Sequence, residues 1–133
     1  MKGFVGDIED LTEANADFRR VLYTGKHLQL VLMSLSPGDD IGEEIHADRD
    51  QFFRIEKGKG HFLIDGITHK VKGDDAFLVP AGASHNLTNI GDKPLKLYTL
   101  YGPPNHIDRL VQTSKGEAQI SNETFTGKTT EAR

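Results

Sequence analysis

The chain contains no cysteine among its 133 residues. This absence excludes disulfides, thiolate metal sites and cysteine nucleophiles together. Basic residues are also few and scattered: 16 lysines and arginines stand against 20 aspartates and glutamates, for a formal net charge of -4. Nucleic-acid binding needs a stripe of basic side chains that displaces counterions from phosphates. We therefore expect no nucleic acid as a partner.

Long apolar runs are missing as well. No stretch approaches the roughly 20 apolar residues that cross a bilayer as a helix. Residues 1–18 carry one lysine and no apolar run, unlike a signal peptide or an anchor. We therefore expect no membrane association and a cytoplasmic location. A length of 133 residues corresponds to one domain with a sizeable core.

Short strands separated by glycine-rich turns are predicted over most of the chain. Apolar or alternating runs lie at 20–23, 27–36, 51–56, 61–65, 68–72, 76–79, 85–88 and 95–101. Such even spacing is typical of an all-β sandwich or barrel, and Asp65-Gly66 is a strong hairpin signal. A helical turn is expected at 10–15. The polar tail from residue 112 onward is expected to be mobile or to dock only through Phe125.

Alternation along the strands predicts which side chains face inward. Gln51 and Phe53 share one face of their strand, and His85 and Leu87 share one face of theirs; for the last strand, 95–101, alternation leaves the inward row open. The run LQLVLMSL is apolar on both faces, which predicts a second layer or subunit over it.

Two segments carry most of the chemical information. The segment GEEIHADRDQFF places Glu44 and His46 two residues apart and Gln51 five residues later, and GDDAFLVPAGASHNLTN supplies His85 after a Pro-x-Gly turn. Side chains two apart in a strand leave on the same face, so pairing of the segments in one barrel brings all four side chains to one point. A carboxylate, two imidazoles and an amide oxygen suit a divalent transition metal.

Each candidate ligand also has a plainer interpretation. His46 taken alone is typical of a surface histidine at a strand end. Glu44 lies in the acidic stretch 39–50, which can be an ordinary solvated loop. Gln51 can simply hydrogen-bond a neighbour within the barrel.

The two segments resemble the two motifs of the cupins, small β-barrels with a metal in the mouth. In the first motif, G-x5-H-x-H-x3,4-E-x6-G, the matching positions hold Gly38, Glu44, His46, Gln51 and Gly58, so Glu replaces the first His and Gln replaces the Glu. The second motif, G-x5-P-x-G-x2-H-x3-N, is matched with one extra residue before the proline by Gly73, Pro80, Gly82, His85 and Asn89. This ligand set is similar to that of small single-domain bacterial cupins labelled mannose-6-phosphate isomerase-like.

The resemblance implies a double-stranded β-helix (jelly-roll) barrel over residues 19–105. A polar segment, 1–18, precedes this single domain, and a turn with a polar tail, 106–133, follows it. Because cupins commonly dimerise through the outer sheet with an exchanged N-terminal strand, the resemblance also implies a homodimer in which 20–23 crosses to the partner.

The resemblance further implies one divalent metal held by Glu44, His46, Gln51 and His85, and Fe, Mn, Ni and Zn all suit this donor set. Ligand imidazoles must be neutral, so metal affinity is expected to fall as the pH drops through roughly 6.5.

Two classes of function follow from such a site. The first is a metalloenzyme that acts on a small organic acid or sugar-like substrate by dioxygenation, decarboxylation or isomerisation; dioxygenation requires only the metal and chelation. The alternative is a non-catalytic metal- or small-ligand-binding protein or sensor, and a metal-free remnant is a third possibility. Catalytic candidates are Tyr98 and Tyr101, as hydrogen-bond donors to a substrate, and His106, for proton transfer at the barrel mouth.

Overall fold

The computed structural model describes residues 1–131 and shows an all-β jelly roll, which confirms the predicted fold class. The helices and strands, in chain order, are α1 (Ile8–Ala14), β1 (Arg19–Thr24), β2 (Gln29–Leu35), β3 (Glu44–Ile45), β4 (Asp50–Lys57), β5 (Lys59–Ile64), β6 (Ile67–Lys72), β7 (Ala76–Val79), β8 (Ser84–Asn89), β9 (Leu95–Gly102), β10 (Val111–Gln112) and α2 (Lys115–Gln119).

The strands form two antiparallel sheets that enclose the core. The six-stranded sheet has the order β10-β1-β2-β9-β4-β7, and the four-stranded sheet has the order β3-β8-β5-β6. Fully buried side chains from both sheets fill the space between them, among them Met33, Phe53, Leu87 and Leu97. The site described below lies at one end of this core, where β3, β4 and β8 contribute side chains.

The predicted turn and alternation patterns are found in the structure. Asp65 and Gly66 both have positive φ angles, of 44° and 83°, and join β5 to β6 with Ile64 opposite Ile67. That is the backbone that a tight two-residue hairpin requires. In β9 the row that contains Thr99 and Tyr101 is buried, whereas the alternate row is only half-buried, so the structure identifies the inward row that alternation left open.

The outer face of the six-stranded sheet is partly covered by α1, which packs against β2, β4 and β9. Asp7 caps the helix by accepting a hydrogen bond from the Asp10 backbone N–H. On β2, Leu32 is only 2% exposed although it points away from the barrel interior. The covering layer predicted over this strand is therefore supplied in part by the chain's own helix.

The strand β1 pairs with β2 and with β10 of the same chain. A homodimer remains a prediction, as do the boundaries of the three chain segments.

The C-terminal segment contacts the barrel at several places up to residue 131. β10 extends the six-stranded sheet with Gln112 opposite Arg19, and the Phe125 backbone N–H donates to the Asn105 carbonyl. Thr130 accepts a hydrogen bond from the Thr24 backbone N–H. Docking thus involves more than Phe125. Across residues 1–131, no helix combines the length and apolar character needed to span a membrane.

Candidate metal centre

Strand pairing brings the two sequence segments together. Glu44 in β3 lies directly opposite His85 in β8. The backbone carbonyl of His46 accepts a 2.8 Å hydrogen bond from the Gly82 N–H, in the turn before β8. Gly82 has a φ of 91°, a left-handed conformation that glycine adopts without strain. The Pro-x-Gly turn therefore fixes the backbone of His46 next to that of His85.

Glu44, His46 and His85 form a compact cluster. Each offers one ligand atom, and these atoms all lie within 4.8 Å of one another. Nε2 of His46 lies 2.9 Å from a carboxylate oxygen of Glu44, but it is buried and makes no well-aligned hydrogen bond. The His46 ring is therefore not oriented for a hydrogen bond to Glu44, although the two atoms are close.

Gln51 completes the cluster through His85. Its side-chain NH2 donates to Thr99 Oγ1 at 3.0 Å, and the Thr99 hydroxyl donates onward to the Phe52 carbonyl. This orientation directs the amide oxygen at Nε2 of His85, 3.1 Å away. Nδ1 of His85 lies 3.2 Å from the Ala83 carbonyl. A neutral imidazole carries one hydrogen, so it donates to the carbonyl or to the Gln51 oxygen but not to both.

Burial and nearby charges set the protonation states of the cluster. Burial raises the pKa of Glu44, but its contact with His46 and the positive charge of Arg19 outweigh burial and hold that pKa below its ordinary value. Burial lowers the pKa of His85. At neutral pH the site thus holds an ionised carboxylate and a neutral His85 imidazole, which are the forms that bind metals.

The structure thus brings together the side chains of all four predicted ligands. The convergent ligand atoms, the 3.1 Å approach of the Gln51 oxygen to His85, and the Nε2 of His46 without a hydrogen-bond partner fit a divalent cation. Within the acidic stretch 39–50 only the spacing to His46 distinguished Glu44, and the pairing of β3 with β8 now places Glu44 opposite His85.

The two tyrosines among the catalytic candidates lie on opposite faces of β9. Tyr101 is 1% exposed, and its ring edge lies against His46 at 5.8 Å between centroids. Burial raises the pKa of Tyr101, so its hydroxyl stays protonated. Tyr98 lies in the outward row of the same strand, and the structure does not bring it to the cluster.

His106 lies behind Tyr101 and is held by Glu123 of the C-terminal segment. Its Nδ1 donates to the Glu123 carboxylate at 2.8 Å, so its Nε2 accepts from the Tyr101 hydroxyl at 3.3 Å. Glu123, which the sequence analysis did not identify, thereby fixes the tautomer of His106. The chain Glu123–His106–Tyr101 ends beside His46.

Arg19 is a second residue that the sequence analysis did not identify. It is only 6% exposed, its guanidinium donates to Gln112 at 2.7 Å, and its Cζ lies 5.2 Å from the centre of the Phe18 ring. Arg19 and the buried Val21 leave β1 on the same face. Alternation was therefore the sequence signal that Arg19 faces the barrel interior.

The fold is a jelly-roll barrel, and two histidines, a carboxylate and an amide lie together at one end of it. These features define the class: small barrel proteins with a candidate metal site. A family model described as "Cupin domain" matches residues 31–101, and the chain belongs to the cupin family.

The chain is also similar to individual proteins. It is 46% identical over 123 residues to the uncharacterized protein YrkC of Bacillus subtilis, a match that covers 88% of this chain and 66% of that protein. The crystal structure of BH2720 from Bacillus halodurans is 44% identical with a TM-score of 0.89 and covers 90% of this chain and 96% of that one. A Thermotoga maritima protein described as a predicted oxalate decarboxylase is 26% identical with a TM-score of 0.56 and covers 58% of this chain and 67% of that one.

Proposed function

We propose that this cupin binds one divalent transition metal ion through Glu44, His46, Gln51 and His85 and acts as a metal-dependent enzyme on a small organic acid or sugar-like substrate. The observation that carries the proposal is that the Gln51 oxygen lies 3.1 Å from Nε2 of His85 while the Ala83 carbonyl lies 3.2 Å from Nδ1 of the same ring. A neutral imidazole carries one hydrogen and satisfies only one of these two acceptors, whereas a cation shared by Nε2 and the Gln51 oxygen leaves that hydrogen on Nδ1 for the carbonyl.

The composition of the ligand set favours an anionic or enolisable substrate. Glu44 is the only charged residue of the four, so a bound divalent ion keeps a net charge of about +1 at the site. When bound, the metal would supply a Lewis acid that substrate oxygens coordinate and that polarises them. A relative described as a predicted oxalate decarboxylase adds support for an organic acid.

The chain's own residues support the ligands from one side. Tyr101 keeps its proton because it is buried, and its hydroxyl donates to His106. His106 is in turn held by Glu123. This hydrogen-bonded chain fixes the Tyr101 ring against His46 and so supports the position of that ligand.

Dioxygenation or decarboxylation fits the site better than isomerisation. Isomerisation through an enediol needs a free base beside the metal, and the one carboxylate of the cluster, Glu44, is itself a ligand in this proposal. His106 is separated from the cluster by the Tyr101 ring.

The test is a turnover assay on metal-stripped protein reloaded separately with Fe(II), Mn(II), Ni(II) or Zn(II). Small organic acids and sugars are added, and oxygen uptake, CO2 release and product NMR spectra are recorded. We expect turnover with at least one ion, abolished in His46→Ala and retained in His61→Ala, a histidine on β5 outside the cluster. Metal uptake without turnover on any substrate class would favour the alternative, a non-catalytic binding or sensor cupin.

A further inference from the structure

Arg19 places a buried positive charge next to the candidate metal centre. The residue is 6% exposed, although arginine is almost never fully buried without a partner. Among residues 1–131 no carboxylate forms an ion pair with its guanidinium; the hydrogen-bond partner is the neutral amide oxygen of Gln112. Nε of Arg19 is buried and has no hydrogen-bond partner. The guanidinium therefore has an unused donor in a position shielded from water.

Arg19 and Glu44 line the same cavity, of about 350 Å³, which we name the Arg19 cavity. That volume suits a small molecule. Its other wall comes from the C-terminal segment, where Lys115 of α2 is paired with Asp40. The charge of that lysine is balanced by Asp40, whereas the charge of Arg19 has no carboxylate partner among residues 1–131.

The charges of the site change when a metal binds. In the metal-free protein the Glu44 carboxylate, which lines the same cavity, is a negative charge close to Arg19. Once Glu44 binds a cation, its negative charge offsets the charge of that cation. It then offsets the positive charge of Arg19 less than before. A buried charge without compensation is strongly unfavourable. The loaded site therefore favours a ligand that brings a negative charge of its own.

We propose that Arg19 binds the carboxylate of the substrate in the Arg19 cavity, and that the substrate is a small 2-hydroxy or 2-oxo acid. The planar guanidinium matches a carboxylate with two parallel donors. Glu44 is the one proposed metal ligand among the residues that line this cavity, so in this proposal an oxygen on the carbon next to the carboxylate binds on the Glu44 side. This second contact rests on the proposed metal site, whereas the contact with Arg19 does not.

Calorimetric titration of glycolate, lactate and pyruvate into Mn(II)-loaded and metal-free protein tests the proposal, with lactamide as the neutral counterpart of lactate. We expect at least one acid to bind the loaded protein, with lactamide at least tenfold weaker than lactate. Arg19→Gln should weaken acid binding at least tenfold with unchanged metal stoichiometry. Arg20→Gln, which changes the exposed neighbouring arginine, should stay within twofold.

Arg19→Lys provides a second variant in case Arg19→Gln does not fold. It keeps the charge and loses the two-donor geometry, so an intermediate affinity is expected. Acid binding that is equal in wild type and either Arg19 variant, or no acid binding to loaded wild type, overturns the role of Arg19. Failure of the metal site is seen separately as absent Mn(II) uptake. In that case a tenfold loss of acid affinity on Arg19→Gln in metal-free protein still supports the carboxylate contact, and no loss refutes it.

Discussion

The side-chain oxygen of Gln51 lies 3.1 Å from Nε2 of His85, and Thr99 fixes the orientation of the amide. The Ala83 carbonyl lies 3.2 Å from Nδ1 of the same ring, so a neutral imidazole with one hydrogen satisfies only one of the two oxygens. A cation shared by Nε2 and the Gln51 oxygen leaves the hydrogen on Nδ1 for the carbonyl. Gln51 therefore acts as a ligand in our account, although glutamine is a weaker donor than the carboxylate at the matching motif position.

Gln51→Glu should tighten metal binding and destabilise the metal-free protein. A carboxylate binds a divalent ion more strongly than a neutral amide, so we expect roughly tenfold higher metal affinity. Without metal, the variant loses the hydrogen bond to Thr99 and buries another charge, so the free energy of unfolding should fall by about 1–3 kcal/mol. Metal titration and thermal melts measure both effects. Unchanged metal affinity in this variant, and in Gln51→Leu, would exclude Gln51 as a ligand.

His106→Gln should reduce the pH dependence of stability. Burial lowers the pKa of His106 despite the opposing influence of Glu123. As the pH falls through the ordinary histidine value of roughly 6.5, the unfolded chain takes up the proton first, so the free energy of unfolding decreases. Glu44 and Glu123, with lowered pKa values, titrate in a more acidic range.

Denaturant titrations between roughly pH 7.5 and 5.5, on either side of the histidine value, measure this slope. His106→Gln should show a smaller slope than wild type, and His69→Gln, an exposed histidine on β6, should leave the slope unchanged. Equal slopes in wild type and His106→Gln would show that His106 is not neutral and buried in the folded protein.

Phe53→Ala should lower both the stability and the metal affinity. Phe53 is fully buried, and its ring lies 5.0 Å from that of Phe77 and 5.9 Å from that of His85, between centroids. Removal of the ring should cost about 3–5 kcal/mol of unfolding free energy and leave the His85 imidazole less well held. Phe52→Ala, on the half-buried opposite face of β4, should cost less. Chemical denaturation compares the two variants, and equal losses would contradict the inward assignment of Phe53.

Much of the barrel could be predicted because alternation and turn residues act locally. The strand at 76–79 was predicted with the bounds that the structure has, and the Asp65-Gly66 turn joins the expected hairpin. The hydrophobic periodicity of β4 and β8 also placed Gln51 and His85 on the buried faces. These elements follow from patterns within a few residues of chain.

Local patterns do not reveal the roles of Arg19 and Glu123, because these roles depend on contacts between distant parts of the chain; alternation with Val21 indicates only that Arg19 faces inward. Arg19 meets Gln112, 93 residues away, through a two-residue strand that has too few residues to show a period. Glu123 reaches His106 from a segment without regular structure. The polar composition of the tail predicted a mobile segment. In the structure, hydrogen bonds of Gln112 and Glu123 hold that segment against the barrel.

The metal content of protein purified without an affinity tag tests the central claim most directly. Elemental analysis of wild type, His46→Ala, His85→Ala and the control His61→Ala gives the number of ions per chain. We expect about one ion per chain in wild type and in the control, and almost none in the other two variants, because each removes a ligand of a four-ligand site. Wild-type protein that takes up no Fe, Mn, Ni or Zn even after reconstitution, or equal metal content in all four proteins, would contradict the account.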